Sequence, residues 1–170
     1  MRLGFAGAVA EVICTHEDVY PMSFADGNDT CTVDKFTVKG QSIMFLADAR
    51  DGESVTMLNT IPPEVLKSDI VQFSHHGYEG CSEAFYRVVD ASVVLWPMNI
   101  VGIDNGKTAP VFKNWYNNAM GANKYVRESA KIKKIIVAGA GTQKLELPYT
   151  PTGDRIVDYE SIYNERLSNN

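Results

Sequence analysis

Two short apolar runs in this chain each stop abruptly at a group able to bind a metal: Phe45-Leu46-Ala47-Asp48-Ala49-Arg50 and Val71-Gln72-Phe73-Ser74-His75-His76-Gly77. Between them, Asp51 to Thr60 has the spacing of a short helix with Val55, Met57 and Leu58 inward and Asp51 as its cap, and Ile61-Pro62-Pro63 ends it. Strand, helix, strand is the order of a βαβ unit, in which a connection containing a helix favours parallel pairing and a right-handed crossover. Parallel strands bring their C-terminal ends to one edge of a sheet, where α/β proteins seat ligands. Asp48 and His75 are therefore expected at the same edge.

A carboxylate and a neutral imidazole suit Zn²⁺, Mn²⁺ or Fe²⁺, and a carboxylate can bridge two ions through its two oxygens. Successive side chains on a strand point to opposite faces, so His75 and His76 share one coordination shell only if the chain bends, which Gly77 permits. One histidine then ligates, while the other hydrogen-bonds substrate, acts as an acid or packs beneath. The spacing leaves open which does which. The plain alternative is that an aspartate after a strand is a turn residue and the histidine pair is incidental.

The surrounding sequence predicts an α/β fold. Ala8 to Thr15 reads as a strand and His16 to Thr30 as a polar loop. Cys31–Val38 and Ser42–Ala47 read as a hairpin turning at Lys39-Gly40-Gln41. Pro63 opens one helical turn through Leu66, and Asp69 to Ser74 forms the second strand of the βαβ unit. Ser82 is placed to N-cap a helix through Val89, and Ala91 to Trp96 is a further strand. Asn99 to Ala109 reads as loop. Pro110 opens a helix to Met120, with Phe112, Trp115 and Tyr116 as its anchors, and a second helix spans Asn123 to Ile132. Lys134–Ala138 and Thr142–Leu147 are expected to close the sheet as a hairpin, with Gly139-Ala140-Gly141 as its turn rather than a phosphate loop. Residues 1–150 then form the domain, and 151–170 a partly helical tail.

At 170 residues and 45% hydrophobic, the chain is long enough for one sizeable core. A net charge of −5 gives no sign of a nucleic-acid surface across the domain, though a local strip remains compatible with it. Lys124, Arg127, Lys131 and Lys134 read as a solvated helix face. The three cysteines, Cys14, Cys31 and Cys81, lack a CxxC pair and are expected to be buried thiols. A cytoplasmic setting is favoured because no apolar run approaches the ~20 residues of a membrane span. The signal-like first ten residues are also shorter than the roughly 15–30 that a secretory signal needs.

The order of these motifs resembles the C-terminal half of a metallo-β-lactamase-fold hydrolase, in the branch of competence-type (ComEC-like) hydrolases and related phosphodiesterases. Gly27-Asn28-Asp29-Thr30-Cys31-Thr32-Val33 resembles the polar stretch that opens a strand there. Ser42 to Ala49 resembles the strand ending in Gly-Asp-Ala, with Ala47 in place of the glycine. Leu66-Lys67-Ser68-Asp69-Ile70-Val71 followed by Ser74-His75-His76-Gly77 resembles the Leu-Lys-x-Asp-Val and His-His-Gly elements, and Cys81 to Phe85 the Ser-Ser-x-x-Phe that follows.

The resemblance implies half of an αββα sandwich, a mixed sheet with helices on one face. It makes Asp48 a bridging metal ligand, His75 and His76 the metal-binding and catalytic pair, and Asn28 and Ser82 substrate-side residues. The substrate class it implies is a phosphoester. An intact protein would hold two zinc ions, or manganese or iron, whereas this chain by itself need hold none. The His-x-His-x-Asp-His loop of the family is absent from these residues, so the chain alone is expected to be inactive. Its expected partners are the other half of the fold and, through the exposed sheet face, a second copy of itself. Two other readings compete: a non-catalytic partner-binding half-domain with vestigial motifs, and an unrelated enzyme that uses Cys81 and His76 as nucleophile and base.

Overall fold

The computed structural model describes residues 1–19, 27–104, 107–156 and 158–168. In chain order these form β1 (Arg2–Phe5), β2 (Ala8–Cys14), α1 (His16–Val19), β3 (Val33–Val38), β4 (Gln41–Phe45), α2 (Asp51–Thr60), α3 (Pro63–Leu66) and β5 (Ile70–Gln72). They continue with α4 (Glu83–Val89), β6 (Val93–Trp96), β7 (Gly102–Asp104), β8 (Lys107–Ala109), α5 (Val111–Asn117), α6 (Gly121–Glu128), β9 (Lys134–Val137) and α7 (Tyr159–Ser168). The fold is α/β. A seven-stranded mixed sheet runs β1-β2-β3-β4-β5-β6-β9, antiparallel from β1 to β4 and parallel from β4 to β9, and β7 and β8 form a separate small hairpin.

Cross-strand partners share a face, so the register separates the two sides of the sheet. Lys35, Met44, Val71, Val94 and Ile135 lie in one row and face the helices. Met57, Leu66, Phe85, Val89, Phe112 and Val126 from α2 to α6 pack there in one core, and Tyr159, Ile162 and Tyr163 of α7 dock on it. Lys35 is buried on this side and donates through Nζ to the carbonyls of Val65 (2.9 Å) and Lys67 (2.5 Å) at the end of α3. Burial holds its pKa below the usual lysine value.

The opposite face carries Leu3, Ala10, Phe36, Ile43, Ile70 and Val93 in one row, with Phe45, Leu95 and Ile136 beside it. No helix covers it among the described residues; an extended strap does so in part. Gln41 exchanges two hydrogen bonds with the Tyr149 backbone (2.9 and 2.6 Å), and Lys134 Nζ donates to the carbonyls of Thr152 and Asp154. The strap thus passes over Ile70 and Val93, which are fully buried. Beyond it Leu3, Phe36 and Phe45 stay 56%, 40% and 39% exposed, the two phenylalanines packed edge to face.

The hairpin at Lys39-Gly40, the parallel βαβ unit and the Ser82 cap follow the sequence expectations. Three expectations are corrected. Thr142–Leu147 is not a strand, because the free edge of β9 is already met by the Ile135–Ile156 bridge. The segment 99–109 is not simply loop, since it contains the β7–β8 hairpin. Helix α2 turns Glu53, Ser54, Thr56 and Met57 inward and leaves Val55 41% exposed, and Arg50 rather than Asp51 holds its N-cap position. The basic residues expected on an open helix face are largely engaged: Arg127 donates to the carbonyls of Tyr116 and Asn117, and Lys131 pairs with Asp90 at 3.1 Å.

A buried polar network ties β5 to α4. The Ser74 hydroxyl meets the Tyr86 hydroxyl at 2.9 Å and accepts from the Cys81 amide at 2.7 Å, while Ser74 N–H donates to the Tyr86 oxygen at 2.9 Å. Ser74→Ala removes a partner from both the Cys81 amide and the Tyr86 hydroxyl. It is expected to lower stability by about 1–3 kcal/mol in urea unfolding.

Candidate metal half-site

The turns that carry Asp48 and the histidine pair lie at one sheet edge. Asp48 lies in the turn after β4, and His75 and His76 lie in the turn that follows β5. Both turns are held in left-handed backbone. Ala47 has φ 47°, His75 φ 47°, His76 φ 54° and Gly77 φ 87°. For residues with a Cβ this conformation costs roughly 1–2 kcal/mol each, so the surroundings must hold it.

One donor from the turn itself and two from separate elements do so. The His75 carbonyl accepts from Tyr78 N–H (2.7 Å), the His76 carbonyl from Trp96 Nε1 (2.9 Å) and the Gly77 carbonyl from Asn123 Nδ2 (2.9 Å). A Cβ at Gly77 would stand 2.7 Å from Trp96 Nε1, so glycine is needed for contact as well as for conformation.

The two turns are also tied to each other. His75 N–H donates to the Ala47 carbonyl at 3.0 Å. The Gln72 side chain forms a clamp: its Oε1 accepts from Leu46 N–H (2.9 Å) and Ala47 N–H (2.8 Å). Its Nε2 donates to the carbonyls of Ala47 (3.2 Å) and Phe73 (2.6 Å). A polar residue amid an apolar strand was the one sequence signal for this clamp, and the sequence reading passed over it.

The turn divides the roles of the two histidines. His76 Nδ1 lies 2.6 Å from the Pro97 carbonyl, and its Nε2 lies 3.5 Å from Asp48 Oδ1. A carbonyl accepts only, so Nδ1 carries the proton in that contact and a neutral His76 directs the Nε2 lone pair at the carboxylate. Two acceptors facing each other call for a cation between them, either a proton or a metal ion. Ligands about 2.1 Å from a tetrahedral zinc stand about 3.4 Å apart, close to the observed separation.

His75 lies elsewhere. Its Nε2 meets Asn28 Nδ2 at 3.2 Å, and its Nδ1 is buried with no hydrogen-bond partner among the described residues. Asn28 thus stands beside the histidine turn. Ser82 accepts from Phe85 N–H as the cap of α4, contacts the Ser54 hydroxyl at 3.2 Å and lines a cavity of about 670 Å³ on the helix side.

Among the described residues, no group of three or more His, Cys, Asp or Glu side chains converges as a metal site. Asp48 and His76 are a pair. The Cys81 alternative fails: the thiol is fully buried, hydrogen-bonded to the Ala49 carbonyl at 3.5 Å, and desolvation pushes its pKa far above the usual thiol range. Cys14 is likewise pushed up to about 12, by burial and then by nearby Glu53. No described helix is long and apolar enough to cross a membrane.

Comparison with models of known protein families finds no match. Comparison with curated proteins finds no relative either.

Ala47 is a non-glycine residue in a conformation that favours glycine. Ala47→Gly is expected to raise the midpoint of urea unfolding, by about 1 kcal/mol at most because glycine also gains entropy when unfolded.

Proposed function

We propose that this chain is the C-terminal half of a metal-dependent hydrolase of the metallo-β-lactamase fold, acting on phosphoester bonds. The observation that carries the reading is the Asp48–His76 pair at a shared strand edge, Nε2 and Oδ1 3.5 Å apart and His76 oriented by the Pro97 carbonyl. An imidazole whose far nitrogen is tied to a carbonyl is the usual supporting arrangement for a ligand histidine. The order of the Ala47-Asp48-Ala49 and His75-His76-Gly77 elements supports the family, and the phosphoester class follows from that resemblance alone.

In this reading Asp48 and His76 hold a divalent ion. Such an ion supplies Lewis acidity to a phosphoryl oxygen and acidifies water. His75 sets the shape of the turn through Asn28 and the Ala47 carbonyl. Two ligands are fewer than the three of a catalytic zinc site, so the remaining ligands come from a partner and the chain by itself is not active. Zinc titration of the chain by calorimetry tests this. Asp48→Ala and His76→Ala are each expected to weaken binding at least tenfold, and affinity indifferent to both would end the metal reading.

The half-covered sheet face supports the second part. A row of Leu3, Phe36 and Phe45 open to water belongs against another apolar layer. The partner proposed is the other β-layer of the fold, whose place a second copy takes when the chain is alone. Sedimentation is expected to show self-association that grows with concentration and is abolished in Phe36→Glu/Phe45→Glu. A wild-type chain that stays monomeric at high concentration would count against it.

A further inference from the structure

A cavity of about 570 Å³ opens beside His76, walled by Tyr78, Met98, Val101, Ile103 and Val111. We infer that it seats the organic group of the ligand and that this group is apolar, an aryl or branched-alkyl ester rather than a nucleotide or a nucleic-acid strand. The inference rests on the metal reading only for the phosphoryl end of such an ester.

The wall chemistry carries it. Among the described residues no Lys, Arg, Asp or Glu lines the cavity; His76, Tyr78 and Asn99 supply its polar side chains, and the remaining side chains are apolar. A polynucleotide would need cations along its path, whereas an aryl group needs only apolar walls. The volume lies within the range of small-molecule sites. His76 also lines the cavity, so a group seated there lies beside the imidazole that pairs with Asp48.

Strand β7 supplies Gly102 and Ile103 to the wall. Its root is fixed, because a Cβ at Gly102 would stand 2.4 Å from Val111 Cγ2. It presents Ile103, 74% exposed, along the cavity rim. A lone exposed isoleucine is ordinary; one that extends a wall of Val101, Val111 and Tyr78 enlarges an apolar seat.

The 670 Å³ cavity is the weaker candidate. Neither Asp48 nor His76 lines it, and its lining carries three carboxylates, Asp51, Glu79 and Glu83, against one cation, Arg50, which is itself paired with Glu79.

The test uses the full chain and two pairs of probes. Benzyl alcohol, which needs no metal, is expected to shift the amide resonances of Tyr78, Val101, Ile103 and Val111 at concentrations where ethanol does not. Ile103→Asp, at an exposed position, and Val101→Phe, which fills the cavity, should each weaken that response at least fivefold. With zinc present, phenylphosphonate should bind at least tenfold tighter than methylphosphonate. Amides unmoved by benzyl alcohol, or a response untouched by both substitutions, would overturn the cavity assignment. A thymidine dinucleotide binding as tightly as phenylphosphonate would overturn the ligand class. If benzyl alcohol binds as expected while zinc affinity ignores Asp48→Ala, the metal reading fails and the apolar seat stands.

Discussion

The parallel pairing of β4 with β5 is set by Ile43 against Ile70 and Met44 against Val71, and it is continued past the strand ends by the hydrogen bond from His75 to Ala47. That last bond joins two strained turns, one carrying Asp48 and the other His76. Gln72 reinforces it with contacts to the same backbone. Without this register the carboxylate and the imidazole would belong to unrelated loops. With it, two side chains that are 28 residues apart in sequence stand 3.5 Å apart. The rest of the molecule can be understood as support for that edge.

The support is mostly polar and mostly from the helix side. Trp96 and Asn123 donate to the carbonyls of His76 and Gly77 from two other elements, and Tyr78 N–H closes the turn on the His75 carbonyl. Strain of this kind persists only where the surroundings over-determine it, and it concentrates at functional sites. Beneath the turn, the Ser74–Tyr86–Cys81 network fixes the approach of α4. The same burial that makes Cys81 a good core residue removes it as a nucleophile.

The sheet is unequal in its two faces. One side is closed by α2 to α7 around a single core, and among the described residues the other is crossed only by a strap anchored at Gln41 and Lys134. The strap has a local cause: Ile156 already meets β9, so the chain between β9 and that contact has no strand edge to join and lies across the sheet instead. It buries Ile70 and Val93 and leaves Phe36 and Phe45 in water. In the function proposed above, one partner layer would complete the Asp48–His76 edge and cover this apolar face.

Period and punctuation in the sequence determined the βαβ unit, the turn at Lys39-Gly40, the cap at Ser82 and the placing of Asp48 and the histidine pair at one sheet edge, because each follows from local steric rules and strand direction. Local rules also limited the reading. Alternation along a strand could not tell His75 from His76; only the left-handed turn, bound by Trp96 and Asn123 from distant elements, sends one ring to Asp48 and the other to Asn28. Helix periodicity pointed Val55 inward, but α2 is oriented by the contact of Ser54 with Ser82 and by the burial of Met57, which no single helix encodes. The expected hairpin at 142–147 failed because the edge it needed is met by Ile156 from farther along the chain. The sequence by itself determined which chemical groups stand at the strand ends. Tertiary structure decided which of them face each other, because that depends on backbone strain paid for by hydrogen bonds from residues far away in the chain.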